Sequence, residues 1–369
     1  MGSIPVLSPS RRVRRTPFSP GVEAAGVKGY TVYNHTLLPT LFRSVEEDYR
    51  HLKSAVQVWD VSCERQVRLK GPQARALLDV LTPRNIKVLT PSRCVYVPFA
   101  DRHGRILNDP VALQIGDDEY WASIADSDLA LWVAGVAAAA GFDCEVDEPD
   151  VAPLAIQGPL SDDLAARVFG DEVRGLRHFG CGRFAFQGTQ LLVARSGYSK
   201  QGGFEIYVEG DDIAMPLWSA LFEAGADLDV RAGCPNLIER VEGGLLSYGN
   251  DMTRENTPLE CGLGRFMNRS ALEGCYGGRA IAAEMVAGPA RMIRALAIDG
   301  SVPGCDRAWP IWSGDRRVGQ VTSAAWSPDF GTTVAIAMID RDHWDAGSEL
   351  DVETPDGTRR GTVRDSFWI

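Results

Sequence analysis

The sequence has no Cys-x-x-Cys pair among its eight cysteines, and no His-x-x-x-His or His-x-x-Glu-His spacing among its five histidines. Those absences remove the common zinc, redox and metalloprotease patterns, and no metal site can be read. Positive charge is also short. Lys and Arg number 38 against 49 Asp and Glu, a net −11, which is the wrong sign for a chain whose main partner is a nucleic acid. No apolar run reaches the roughly 20 residues that span a bilayer. The longest, Leu129 to Phe142, has 14 residues and is rich in alanine. It predicts a buried helix begun at Asp126 or Ser127 and stopped by Gly141. Arg11, Arg12, Arg14 and Arg15 lead into Thr16-Pro17-Phe18-Ser19-Pro20 rather than an apolar stretch, so no secretion signal is read there. Scattered cysteines in such a chain predict reduced thiols and a cytoplasmic protein.

What is present is a globular composition, 45% hydrophobic and 24% charged over 369 residues, enough for two or three domains. A weak repeat links Val67-Arg68-Leu69-Lys70-Gly71-Pro72, followed by Gln73 to Leu81, with Pro153-Leu154-Ala155-Ile156-Gln157-Gly158-Pro159, followed by Leu160 to Phe169. Each unit reads as strand, Gly-Pro, helix, with proline in the first turn, where no donor is needed. Between them, Cys94 to Phe99 and Arg105 to Leu113 flank Asp101-Arg102-His103-Gly104, a hairpin signature, and Tyr120 to Ile124 adds a strand. A second hairpin, Gln190 to Arg195 with Gly203 to Val208, is joined by a polar loop long enough to carry function. After residue 289 short strands separated by Gly, Pro and Asp turns predict a small β-barrel: Met292 to Ile298, Gln320 to Thr322, Thr333 to Met338, Glu349 to Val352 and Gly361 to Val363.

Three segments hold candidate chemistry. Asp109, between Asn108 and Pro110, lies at a strand edge where the missing proline donor interrupts pairing and can aim a carboxylate into a cleft. The same placement also suits a turn cap. In Gly203-Phe204-Glu205-Ile206-Tyr207, alternation puts Glu205 and Tyr207 on one face. A carboxylate there can accept two adjacent N–H groups of a flat heterocycle, or simply line an exposed strand face. Ile238 to Asp251 reads as a helix running into a loop, with Arg240 and Glu242 as structural ion-pair residues and Tyr248 and Asp251 within reach of a central cleft.

Taken together these segments resemble the tetrahydrofolate-dependent aminomethyltransferase family, that of the glycine cleavage T-protein. The collinear motifs are Trp59-Asp60-Val61-Ser62, Leu69-Lys70-Gly71-Pro72, Gly104 to Val111, Ala155 to Pro159, Ser196-Gly197-Tyr198 through Glu205, Thr257 to Leu263, and Gly319 to Ser323 with Ser327-Pro328. Within the family, Ser10 to Phe18, Gly29 to His35, Ser199 to Gly203 and Tyr248 to Pro258 are similar to the dimethylsulfoniopropionate demethylase branch. The resemblance implies an α+β fold, a three-domain cloverleaf ending in a β-barrel. Its domains are residues 1–64 with 152–262 (folate-binding), 65–151, and 263–369.

The resemblance carries the catalytic carboxylate onto Asp109 and the pterin-binding carboxylate onto Glu205. Tyr96, Tyr198, Tyr248 and Ser123 are expected to line the cofactor cleft. A donor's cation would rest on Tyr33 or Tyr207, and its carboxylate on Arg15 or Ser123. The implied reaction moves a methyl group from dimethylsulfoniopropionate to N5 of tetrahydrofolate, the co-substrate. An N-methyl or aminomethyl donor is the alternative, since Tyr198 stands where the demethylases are expected to have Trp; Asn236-Leu237 stand where the T-protein pattern has Arg-Asp, which implies that folate-tail contacts or substrate choice differ from the T-protein's. A further alternative is a folate-binding relative assisting iron–sulfur assembly, whose Lys-Gly-Cys-Tyr-x-Gly-Gln-Glu is imitated by Glu273 to Ala280 without its Lys and Gln-Glu. The expected partners are a small sulfonium or methylammonium substrate, without nucleic acid or membrane, and a homodimer stays open.

Overall fold

The computed structural model describes residues 10–369. Its backbone is organised by two open sheets and one barrel. In the first sheet, of six strands, the order is Cys181–Phe186, Thr189–Ala194, Gly203–Glu209, Val151–Gln157, Gln57–Asp60, Arg231–Gly233. The second, of five, runs Glu145–Asp147, Gln66–Lys70, Glu119–Ser123, Val111–Gly116, Val95–Tyr96. A closed six-stranded barrel follows, built from Arg291–Ile298, Thr332–Asp340, Arg316–Ser327, Trp309–Ser313, Glu349–Thr354 and Gly357–Val363. Closure removes the barrel's open edges. No helix among the described residues is long and apolar enough to cross a membrane, and all eight cysteines are unpaired.

The strand, Gly-Pro, helix repeat is real in space. Gly71 and Gly158 hold φ of +137° and +128°, and a Cβ on Gly158 would lie 2.3 Å from the Ala55 carbonyl oxygen. Glycine is therefore required where the chain leaves the strand against a neighbouring backbone. Proline does not enter the helix, however. The helices begin at Ala74 and Ser161, so Pro72 and Pro159 lie in the preceding turn.

The alanine-rich segment forms a helix over Leu129–Ala140, capped by Gly141 in the left-handed region. It starts after Asp128, later than the sequence reading. Only one face is buried, through Leu129, Val133, Val136 and Ala137, while Leu131 is 76% exposed. The first hairpin is split. Phe99–Ala100 pairs with Ile106–Asn108 as a separate ribbon, while Val95 and Tyr96 pair with Ala112 and Val111 in the five-stranded sheet. Pro98 and Pro110 supply no amide donor, and the chain changes sheets at both. The barrel holds one strand the sequence reading missed, Trp309–Ser313, and Gln320 to Thr322 is the middle of a strand twelve residues long.

The two open sheets face each other. Trp121 from one and Tyr207 from the other share an apolar cluster with Leu113, Val151, Leu192 and Ala194. Their ring centroids are 6.4 Å apart. This contact places the polar ends of both sheets at a common cleft.

Candidate active site

Asp109 occupies the chain switch between the two-stranded ribbon and the five-stranded sheet, so it belongs to no strand of either. The Tyr96 hydroxyl donates to Asp109 Oδ2 at 2.8 Å. Asn108 Oδ1 accepts from the Asp109 amide at 2.9 Å, and Asn108 Nδ2 donates to the Ala125 carbonyl and to Ser127 Oγ. Asp109 Oδ1 is buried and has no partner among the described residues. Burial pushes the carboxyl up to about 7, against the opposing pull of the Tyr96 hydroxyl.

Glu205 lies across the cleft on the 203–209 strand, 6% exposed. Ser196 Oγ and the Tyr207 hydroxyl, the latter at 3.3 Å, both donate to its Oε2, leaving Oε1 without a protein donor. Burial raises its pKa, and the two hydroxyls pull it back. Ser196 reaches it because the 196–202 loop is pinned to Gln157. Gln157 Nε2 donates to the Ser196 carbonyl at 3.1 Å and Oε1 accepts from Ser199 Oγ at 2.7 Å. Gly197, with φ +144°, passes so close that a Cβ would sit 1.9 Å from Gln157 Nε2.

Ser123 accepts from Gln66 Nε2 at 3.0 Å and lies beside the Tyr207 hydroxyl, where it partly offsets the burial that pushes the phenol pKa up. Tyr33 is half-buried, its ionisation opposed by burial and then by the charges of Asp109 and Glu64. Tyr198 donates to the Leu245 carbonyl at 3.0 Å and Tyr248 to the Ile106 carbonyl at 3.3 Å. Both phenols sit within the field of Asp109. Tyr33, Tyr96, Tyr198 and Tyr248 thus stand around Asp109, and Ser196, Tyr207 and, through Tyr207, Ser123 stand around Glu205.

Three residues are used differently from the sequence reading. Tyr207 is 1% exposed, with its ring against Trp121 and its hydroxyl on Glu205, so it props a carboxylate and offers no open aromatic face. Arg15 pairs with Glu23 and lines a surface cleft with Arg14, Ser62, Arg65 and Glu148. Asp251, thought able to reach the cleft, instead accepts from Arg240, Ser323, Thr322 and the Ser247 amide. Sequence reasoning missed Ser196 and Glu64. The first had a signal in the glycine beside it; the second had none beyond standing just after Trp59-Asp60-Val61-Ser62.

Two open sheets followed by a closed barrel are matched in known proteins. Residues 20–271 match the GCVT N-terminal domain, and residues 291–367 the glycine cleavage T-protein C-terminal barrel domain. The chain belongs to the glycine cleavage T-protein, or aminomethyltransferase, family. It is 62% identical to dimethylsulfoniopropionate demethylase DmdA of Ruegeria pomeroyi over 98% of this chain and 99% of that protein. It is 32% identical to the aminomethyltransferase of Streptomyces coelicolor, over 92% and 93% respectively. The crystal structure of the glycine cleavage system aminomethyltransferase T from Bartonella henselae superposes with a TM-score of 0.86 at 23% identity, covering 97% of this chain and 98% of that one. That last likeness establishes the shared α+β fold.

Proposed function

We propose that this protein transfers a methyl group from dimethylsulfoniopropionate to N5 of tetrahydrofolate, leaving 3-methylthiopropionate and 5-methyltetrahydrofolate. The observation that carries the reading is 62% identity across nearly the whole chain to a dimethylsulfoniopropionate demethylase, against 32% to an aminomethyltransferase. The cleft fits the co-substrate. Glu205 has an oxygen free to accept paired pterin N–H groups, and Asp109 Oδ1 is a buried acceptor awaiting a donor.

Tetrahydrofolate supplies the nucleophilic nitrogen. The residues supply position and charge. A sulfonium is already activated, because it departs as a neutral thioether, so no protein acid is needed and orientation dominates. Ser196 and Tyr207 fix the Glu205 carboxylate, which sets the plane of the pterin. Asp109, held by Tyr96, stabilises the positive charge that appears at the accepting nitrogen. Tyr33 offers an aromatic surface to the donor's cation, a contact worth about 0.5–2 kcal/mol. Tyr198, Tyr248 and Ser123 complete the cofactor wall.

The sheets support three domains: residues 1–64 with 152–262, residues 65–151, and residues 263–369. Eight free thiols fit a reducing cytoplasm. A homodimer is compatible with this reading and is tested by sedimentation.

The test incubates purified protein with tetrahydrofolate and a panel of donors, and identifies the folate product by mass. A methyl adduct forming fastest from dimethylsulfoniopropionate is expected, with turnover greatly reduced and folate binding largely kept in Asp109→Asn. Faster transfer from dimethylglycine, or release of a methylene adduct, overturns the donor assignment in favour of the N-methyl or aminomethyl reading.

A further inference from the structure

A third carboxyl group, that of Glu64, lies within the electrostatic reach of Asp109 and Glu205. Glu64 sits in the short connection between Gln57–Asp60 and Gln66–Lys70, and buried amides clamp that connection on both sides. Asn34 Nδ2 donates to the Cys63 carbonyl at 3.0 Å and to the Ala125 carbonyl at 3.1 Å. Gln66 Nε2 donates to the Glu64 carbonyl at 2.8 Å and to Ser123 Oγ at 3.0 Å. The backbone of Glu64 is thus fixed between Tyr33, which precedes Asn34, and Ser123. Arg65 turns the other way, donating to Glu148 Oε1 at 3.0 and 2.8 Å.

Asp109 has the Tyr96 hydroxyl and Glu205 has Ser196 and Tyr207. The Glu64 carboxylate alone has no hydrogen bond or ion pair among the described residues. Its charged neighbours are the other two carboxylates, and burial followed by Glu205 and Asp109 raises its pKa well above the usual range. Burial, joined at Glu64 by repulsion from the other two, favours the protonated form of all three acids. A bound cation pairs with Glu64 and draws it to the carboxylate, whereas an uncharged group leaves it protonated.

We propose that Glu64 selects a positively charged methyl donor, its carboxylate facing the sulfonium beside Tyr33. The proposal rests on the demethylase reading and adds the residue that discriminates the donor's charge. Its kinetic signature follows from where charge moves. Positive charge leaves sulfur during transfer, so a carboxylate at the sulfur favours the bound donor over the transition state, whereas Asp109 does the reverse. Glu64 therefore acts on donor binding and is a specificity residue, not a catalytic one.

The experiment compares wild type and Glu64→Gln, which keeps size and loses charge. Two probes are used: dimethylsulfoniopropionate as substrate, and 4-methylpentanoate, an isostere that keeps the carboxylate but has an uncharged CH in place of the sulfonium sulfur, as competitive inhibitor. Glu64→Gln should raise the donor KM tenfold or more, leave kcat equal or higher, and leave the 4-methylpentanoate Ki and tetrahydrofolate Kd within twofold. A KM that stays put, or a KM and Ki that rise together, overturns the role of Glu64, since the first shows no charge selection and the second only a damaged cleft. A wild type that fails to use dimethylsulfoniopropionate overturns the demethylase reading itself and this proposal with it.

Discussion

Tyr96 and Asp109 approach from different sheet systems, and the phenol donates 2.8 Å to one carboxylate oxygen while the other oxygen is buried without a partner. This half-satisfied carboxylate is the most consequential polar group in the cleft. A buried acceptor left open costs about 1–3 kcal/mol in an empty site. On the proposed mechanism, the folded chain tolerates that cost at the point where positive charge is to appear. Tyr96 is itself packed on Phe266, with ring centroids 4.7 Å apart, so the donor cannot swing away.

Because burial lifts Asp109 to about 7 and the Tyr96 hydroxyl opposes that rise, the pH profile has a definite sign. The useful form is the carboxylate. Activity should fall as pH drops through about 7. Tyr96→Phe removes the group that favours the charged form, so the acidic limb should move to higher pH by about one unit. At pH 7 the variant should be several-fold slower and near pH 9 it should largely recover. An unmoved limb in a pH–rate series would assign the titration to another group.

The sequence made the hairpin that carries Asp109 legible but not its division. Pro98 and Pro110 were visible, and each lacks a donor, yet whether a proline ends a strand or transfers it to another sheet depends on partners far along the chain. Alternation placed Glu205 and Tyr207 on one face correctly; their environment was opaque, because only packing on Trp121 closes Tyr207 off. The alanine run hid which helix face is buried, since alanine fits either side. Glu64 carries no periodic signal, and its only motif signal is its place just after Trp59-Asp60-Val61-Ser62. Its importance comes from the buried side chains of Asn34 and Gln66, whose roles only the assembled fold defines.

Glu205 is held by two hydroxyls on one oxygen, which orients the other. Glu205→Ala should weaken tetrahydrofolate binding by about 2–4 kcal/mol, the loss of a charged acceptor for paired donors. Ser196→Ala removes only the orientation and should cost about 1 kcal/mol. Fluorescence titration with tetrahydrofolate distinguishes the two. Wild-type affinity in Glu205→Ala would place the pterin elsewhere.

The cleft also depends on a joint to the barrel. Arg240, on the short helix Leu237–Glu242, donates to Asp251 Oδ2 at 2.9 Å and to Ser323 Oγ at 2.7 Å, while Ser323 and Thr322 of the barrel donate to Asp251 Oδ1 at 2.6 and 2.7 Å. Arg240 is 7% and Asp251 2% exposed. Removing one member of such a pair strands a buried charge, and this costs about 3–5 kcal/mol, far more than the pair contributes when intact. Arg240→Ala should therefore lower the urea midpoint markedly, whereas the charge-free pair Arg240→Met with Asp251→Leu should recover much of the loss. The Leu245 carbonyl also accepts from Arg240, at 3.2 Å, and from Tyr198. The destabilised variant should then lose tetrahydrofolate affinity as well. Equal midpoints for wild type and Arg240→Ala would mean that the barrel is held by its apolar contacts alone.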